Sequence, residues 1–297
     1  MKDFSGKIAV VTGGGSGIGR ELTRQLAEAG CSIAICDVSE EDMTETISIA
    51  MTDAPQGVKV TGFKADVSNE SQVNAFRDHV REAHDIDHIH LLFNNAGIGG
   101  GGSFVTTPRE SWERTFNVCW FGVYNNARAF MPMLIAADEG HIVNVSSVNG
   151  FWASLGSDTA HTAYSASKFA VKGFTEALIN DLRLNAPHVK CSVVMPGHIG
   201  TNIARSTFRE FSDAEEALSE EEAKAVNDHF RDSAATTAAQ AAGVILDGVK
   251  SETWRILIGP DAVALDKAVR ATPEAAYDGD FGMDIFANLR ATTDAAE

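Results

Sequence analysis

The stretch Ile8-Ala9-Val10-Val11-Thr12-Gly13-Gly14-Gly15-Ser16-Gly17-Ile18-Gly19 decides the fold. An apolar run enters a glycine-rich turn, and the turn enters a segment where Ile18, Leu22, Leu26 and Ala29 recur at helical spacing until Gly30 stops it. Glycine suits backbone that turns tightly, approaches a diphosphate closely, or lets helix and strand pack. The amides and dipole of a helix N-terminus favour an anion at such a turn. Many turns contain glycine, so the composition alone is weak. The position between strand and helix in a first βαβ unit makes this turn a dinucleotide site.

The next apolar run closes on Cys36-Asp37-Val38. An acid at this distance from the glycines can hydrogen-bond both hydroxyls of an adenosine ribose, and it repels a 2′-phosphate. No Arg or Lys follows at once, and position 16 is Ser, so NAD is favoured over NADP. A solvated acid at a strand end is the plainer alternative.

Working outward, strands are predicted over Ile8–Thr12, Ser32–Asp37, Val58–Asp66, Ile89–Phe93, His141–Ser146, Lys190–Met195 and Arg255–Ile258. Runs so uniformly apolar suit a parallel sheet covered on both faces. Val73, Phe76, Val80 and Ala83 keep helical spacing after Asn69, a predicted N-cap. Strand and helix alternate, which implies right-handed crossovers and a doubly wound sheet. No linker interrupts residues 1–260, so one domain is expected. Residues 200–235 read as an acidic helical insertion, and 261–297 as a C-terminal tail of the same domain.

Forty-one acidic against 24 basic residues give a formal charge of -17. That surface repels phosphate backbones and argues against a nucleic-acid partner. Glu215-Glu216 and Glu220-Glu221-Glu222 read as solvated helix faces. Cys31, Cys36, Cys119 and Cys191 form no C-x-x-C pair and read as reduced thiols, three of them inside apolar runs. No signal core and no run of about 18 apolar residues is present, so a cytoplasmic protein without a membrane span is expected. No His/Asp/Glu/Cys cluster has the spacing of a metal site.

Tyr164 and Lys168 lie four apart in Ala163-Tyr164-Ser165-Ala166-Ser167-Lys168, at the start of a helical segment, and so share a face. A phenol ordinarily titrates near ~10, too high for a ready base at neutral pH. A neighbouring ammonium stabilises the phenolate. Such a pair is common by chance and gains weight only beside the nucleotide turn. Asn144-Val145-Ser146-Ser147 ends the preceding strand, on the side where doubly wound sheets bind ligands. A serine there can donate to a carbonyl oxygen, although a local turn bond would also account for either hydroxyl.

With these motifs in hand, the chain resembles the single-domain branch of the short-chain dehydrogenase/reductase family. The resemblance rests on Thr12–Gly19, Asp66-Val67, Asn94-Asn95-Ala96-Gly97, Ser146-Ser147, Tyr164-x-x-x-Lys168 and Pro196-Gly197, in family order across residues 5 to about 201. It implies a Rossmann-type, three-layer αβα domain with a helical substrate lid. It also implies a catalytic set. Ser147 would bind the substrate oxygen and Tyr164 would transfer the proton. Lys168 would hold the nicotinamide ribose and lower the phenol, and Asn117 would position a relay water. Cofactor contacts are implied for Gly13, Ser16, Gly17, Ile18, Gly19, Asp37, Asp66, Val67, Asn95, Tyr164, Lys168, Ile199 and Thr201. A homo-oligomer, tetramer or dimer, is implied too.

Two features depart from the pattern. The 17-residue step from Ser147 to Tyr164 is a few residues long, with the extra length over Gly156–Thr162, which leaves Ser146 as an alternative. Gly99–Gly102 suggests a pliant loop at the pocket mouth. Phe151, Trp152, Phe208, Phe211 and Phe230 favour an apolar alcohol or ketone, though aromatics at such spacings more often build core or interface. His161 and His198 could reach substrate or be structural. The rival readings are an NADPH-dependent carbonyl reductase, a nucleotide-binding protein without chemistry, and an epimerase or dehydratase.

Overall fold

The computed structural model describes residues 1–155, 159–210, 219–279 and 281. In chain order the first half contains β1 (Ile8–Thr12), α1 (Gly17–Glu28), β2 (Ser32–Asp37), α2 (Glu40–Ala50), β3 (Val60–Lys64), α3 (Glu70–His84) and β4 (Leu91–Asn94). Helix α4 (Arg109–Phe116) passes through one π-helical turn (Asn117–Phe121) into α5 (Gly122–Ala136). Then follow β5 (Gly140–Val145), α6 (Thr162–Asn185), β6 (Val189–Pro196), β7 (Ile199–Gly200), α7 (Ile203–Glu210), α8 (Glu220–Asp232), β8 (Thr236–Thr237), α9 (Ala238–Lys250), β9 (Arg255–Ile258) and α10 (Pro260–Ala271).

Seven strands form one parallel sheet in the order β3-β2-β1-β4-β5-β6-β9. The chain winds outward from β1 in one direction and from β4 in the other, which opens a crevice at their carboxyl ends. Side chains alternate across the pleat. Ala9, Val11, Ile33, Ile35, Leu91 and Phe93 join Leu22 and Leu26 of α1 and Ile245 and Val249 of α9. Val10, Ala34, Leu92 and Ile142 join Phe76 of α3, Phe130 of α5 and Leu178 of α6 on the other face. Both faces are dry, which explains why each central strand reads as an unbroken apolar run.

Several predicted strand ends move. The third strand is two residues shorter at each end than Val58–Asp66, because Asp66 turns its carboxylate back onto Ser68 and leaves the ladder. Asn69 caps α3 as expected, accepting from the Gln72 amide at 3.2 Å. Between β6 and α9 the chain makes an excursion through α7 and α8, pinned at its base where β7 pairs with β8. Glu222 completes a capping box with Ser219 at the start of α8. Glu215, Glu216 and Phe211 lie outside the described residues, as do the side chains of Phe208 and Glu220.

Residues 260–279 belong to the fold. Gly259, at φ +97°, turns the chain into α10, whose Ala262 and Leu265 are buried. Asp266 of α10 pairs with Arg255 of β9 and, at 3.0 Å, with Arg270. Among the described residues no helix is long and apolar enough to cross a membrane.

Candidate active site

A cavity of about 1150 Å³ opens at the carboxyl ends of the strands. At one end it is lined by Gly13, Ser16, Ile18, Asp37, Asp66 and Val67, and at the other by Ser147, Tyr164 and Lys168. Gly17, Asn95, Ile199 and Thr201 also line it, whereas Gly19 and Asn117 are not among its lining residues.

Three observations fit the glycine turn to a dinucleotide. Gly13 sits at φ +64°, and a Cβ there would meet the Ala96 Cα at 2.8 Å, so neither the turn nor its neighbour has room for a side chain. Gly19 packs against the Gly13 carbonyl and the Asn95 side chain, which leaves no room for a Cβ there. Ser16 precedes α1 without a side-chain cap bond, in contrast to the capped starts of α2 and α3, so the first α1 amides stay open towards an anion.

The acid of the second strand is held rigidly. Asp37 accepts the Gly15 amide at 3.0 Å through Oδ2 and the Ser39 amide at 3.1 Å through Oδ1. Burial pushes its carboxyl above the ordinary range, backbone donors pull it back, and Asp42 adds to the rise. Asp42 lines the cavity beside Asp37, so two acids stand together there. The sequence reading had found only the first.

Asp66 and Asn95 are already engaged with protein. Burial raises the Asp66 carboxyl, but hydrogen bonds from Ser68 and from Arg114, at 2.6 Å, outweigh it and hold the group low. Asn95 Nδ2 donates to the Thr12 and Gly13 carbonyls at 3.0 and 3.2 Å, which braces the glycine turn.

At the other end, α6 presents Tyr164 and Lys168 one turn apart, with the Lys168 ammonium 5.3 Å from the phenol ring centroid. Lys168 is buried and donates to the Val145 carbonyl at 3.0 Å. Burial, the largest influence, pushes the Tyr164 phenol above its usual value; the Lys168 ammonium pulls it down, Cys119 raises it, and a Ser147 hydrogen bond lowers it. The sequence reading weighed the ammonium and not the desolvation, so the net direction differs from that expectation.

The two serines separate clearly. Ser146 Oγ donates to the Lys168 carbonyl at 2.7 Å and is committed to holding α6 on the sheet. Ser147 faces Tyr164 and the cavity. Asn117 opens the π-helical turn, its carbonyl accepting the Gly122 amide, and that turn packs on α6. π-helical turns inside α-helices are frequent at functional sites.

A family model described as short chain dehydrogenase matches residues 7–211. The chain belongs to the short-chain dehydrogenase family. It is an oxidoreductase of that family, 36% identical over 280 residues to "Putative oxidoreductase SadH" of Mycobacterium tuberculosis, covering 91% of this chain and 92% of that one. It is 32% identical over 203 residues to human epidermal retinol dehydrogenase 2, covering 68% of this chain and 63% of the relative. Among solved structures it is similar to a Burkholderia phymatum short-chain dehydrogenase/reductase in complex with NAD. The TM-score is 0.81 and the identity 32%, over 94% of this chain and 98% of that one.

In this dehydrogenase the remaining walls come from elements that the family motifs do not mark. Trp152 lines the cavity and donates from Nε1 to the Ala276 carbonyl at 2.6 Å, while the Tyr277 hydroxyl accepts the Ala153 amide at 3.1 Å. Residues 276–279 thereby become part of the cavity wall. Phe151 instead lies beneath Arg255, outside the cavity. Phe230 of α8 does line it, and its carbonyl bonds His198 Nε2 at 2.6 Å. His198 also donates its amide to Asp261 of α10 at 2.6 Å, which makes it a structural tie between the excursion and the sheet. Thr207 of α7 accepts the Gly99 amide at 2.8 Å, so the glycine run is fastened at its first residue. A hydrophobic period within 260–271 (Ala262, Leu265, Val269) was the available signal for α10; nothing in the sequence pairs Trp152 with Ala276.

Proposed function

We propose that this chain is an NAD-dependent dehydrogenase that oxidises a secondary alcohol or reduces the matching ketone, on a largely apolar substrate. The observation that carries the reading is the convergence of Tyr164, Lys168 and Ser147 on one cavity whose far end holds Asp37. The NAD in the similar Burkholderia structure and the alcohol named in the retinol dehydrogenases support it.

Gly13, Ser16, Ile18 and Thr201 would hold the diphosphate part, Asp37 the adenosine ribose, Asp66 and Val67 the adenine side, and Ile199 the nicotinamide side. Bound NAD supplies the hydride acceptor, and NADH the donor. The chain's own groups manage the oxygen and its proton. Ser147 donates to the substrate oxygen, and Tyr164 Oη gives or takes the proton. Lys168 holds its charge beside the phenol and the ribose, and Asn117 positions water for the relay. Burial pushes the phenol above its usual value and the Lys168 ammonium pulls it back, so removing its proton for alcohol oxidation draws on that ammonium. The α7–α8 excursion serves as the substrate lid.

Asp42 beside Asp37 weighs against the NADPH-dependent alternative. The test is a screen of secondary alcohols with NAD, read as NADH absorbance, followed by Tyr164→Phe. Loss of a general acid–base costs about 10²–10⁴ in turnover. The variant should lose at least a hundredfold in kcat while binding NADH normally; a near-normal rate refutes the mechanism.

A further inference from the structure

The wall beside the catalytic tyrosine contains a polar group that no described residue uses. His161 stands at the N-cap position of α6 without a side-chain cap bond, and its ring lies against the Tyr164 ring with centroids 4.6 Å apart at a tilt of 43°. It lines the same cavity as Tyr164 and Ser147. Among the described residues neither ring nitrogen has a hydrogen-bond partner, and neither is sealed from the cavity in the way the orphaned nitrogens of His79 and His141 are. The ring is half-buried while its nitrogens stay open to the cavity, so they are available to a ligand.

The backbone around it is fixed. The His161 carbonyl accepts the Ser165 amide at 3.0 Å, the Thr162 amide donates to Gly102 at 2.9 Å, and the Ala163 amide to Gly101 at 3.0 Å. Neighbouring polar groups are committed. Asn149 Nδ2 donates to the Trp152 and Ser154 carbonyls at 3.1 and 3.0 Å, and Trp152 Nε1 is held by Ala276. His161 is the imidazole that this wall offers to whatever fills it.

We propose that His161 is a specificity-determining residue that hydrogen-bonds a second oxygen, a hydroxyl or carbonyl, carried by the substrate close to its reacting carbon. Ser147 and Tyr164 take the reacting oxygen, and the ring stacked on Tyr164 reads the one beside it. Burial pushes the imidazole down to about 4, so at neutral pH it presents one N–H donor and one bare acceptor nitrogen. That chemistry matches neutral oxygen rather than carboxylate or phosphate. The substrate class is then a secondary alcohol or ketone with a vicinal oxygen, a 1,2-diol, α-hydroxyketone or 1,2-diketone, on an apolar body.

The inference rests on the dehydrogenase reading, and its test separates the two. The kcat/KM of trans-1,2-cyclohexanediol is compared with that of cyclohexanol, both with NAD, in the wild-type chain, His161→Phe, His161→Gln and Tyr164→Phe. One hydrogen bond in a desolvated site corresponds to roughly tenfold or more in such a ratio. The wild type should favour the diol at least tenfold. His161→Phe, which keeps a stacked ring, should bring the ratio close to one, chiefly through KM, and His161→Gln should restore part of it. A wild-type ratio near one, or a ratio unchanged in His161→Phe, overturns the proposal. Turnover surviving in Tyr164→Phe overturns the underlying mechanism instead.

Discussion

Replacing Asp37 by Asn probes the cofactor end without touching the chemistry. The carboxylate offers about four acceptor positions, of which the Gly15 and Ser39 amides take one each at 3.0 and 3.1 Å. The remaining positions would serve the ribose diol. An asparagine keeps one acceptor oxygen, so one ribose bond and one backbone bond compete for it. A hydrogen bond to a charged group contributes about 1.5–3 kcal/mol, and the NADH dissociation constant should rise about 10- to 100-fold. NADPH should respond in the opposite sense. Unit charges 4 Å apart at an effective dielectric of 20 repel by about 4 kcal/mol. The open cavity and the persisting charge of Asp42 reduce the gain to about 1–2 kcal/mol, or about 5- to 30-fold tighter NADPH binding. Together the preference for NADH over NADPH should fall by roughly two to three orders of magnitude. Fluorescence titration with both reduced cofactors measures it, with thermal melting as a check on folding. Equal affinities for the two cofactors in the wild-type chain, or an unchanged ratio in the variant, would show that this acid does not select the cofactor.

The two serines should differ sharply. Ser147→Ala should lower kcat by about 10²–10³, as loss of an oxyanion donor does, while giving up only the cap bond that Ser147 Oγ accepts from the Asn149 amide at 3.1 Å. Ser146→Ala, which removes the buried bond to the Lys168 carbonyl, should instead cost about 1–3 kcal/mol of stability; melting curves with steady-state rates tell them apart, and the reverse pattern would reassign the pair. Acid stability follows from the buried imidazoles. His141 is held down to about 3 and His161 to about 4, by burial above all. Between an unfolded value near ~6.5 and these folded values only the unfolded chain takes the proton, so the stability they contribute is complete above that range and is lost as pH falls through it. For His141 the loss reaches at most about 5 kcal/mol. Urea midpoints from pH 7.5 to 5 should fall more steeply in the wild type than in His141→Asn; parallel slopes would refute the assignment.

The central sheet was legible because its physics is local. Parallel strands covered on both faces must be apolar throughout, and the glycine turn must be glycine where φ is positive or a Cβ would strike Ala96. Strand limits were less secure at the third strand, where Asp66 bends back to Ser68. The direction in which Tyr164 moves was not legible, since desolvation depends on the side chains that close over the phenol and these come from distant segments. The same applies to Asp42, which is an ordinary first-turn acid of α2 until the fold brings it to the cavity beside Asp37.

From the order of residues alone came the doubly wound sheet, the nucleotide turn, the Tyr164 and Lys168 pair with a serine at the end of the preceding strand, and Asp37 at the end of the second. Each follows from spacing along one element or at the end of one strand. Tertiary structure decided which serine holds the Lys168 carbonyl and which faces Tyr164, that His198 lines the cavity bonded to Phe230 whereas His161 lines it stacked on Tyr164, and that residues 276–279 wall the site through Trp152. Those outcomes depend on which hydrogen-bond partners are consumed when remote segments meet, and pairing of that kind leaves no periodic trace in the chain.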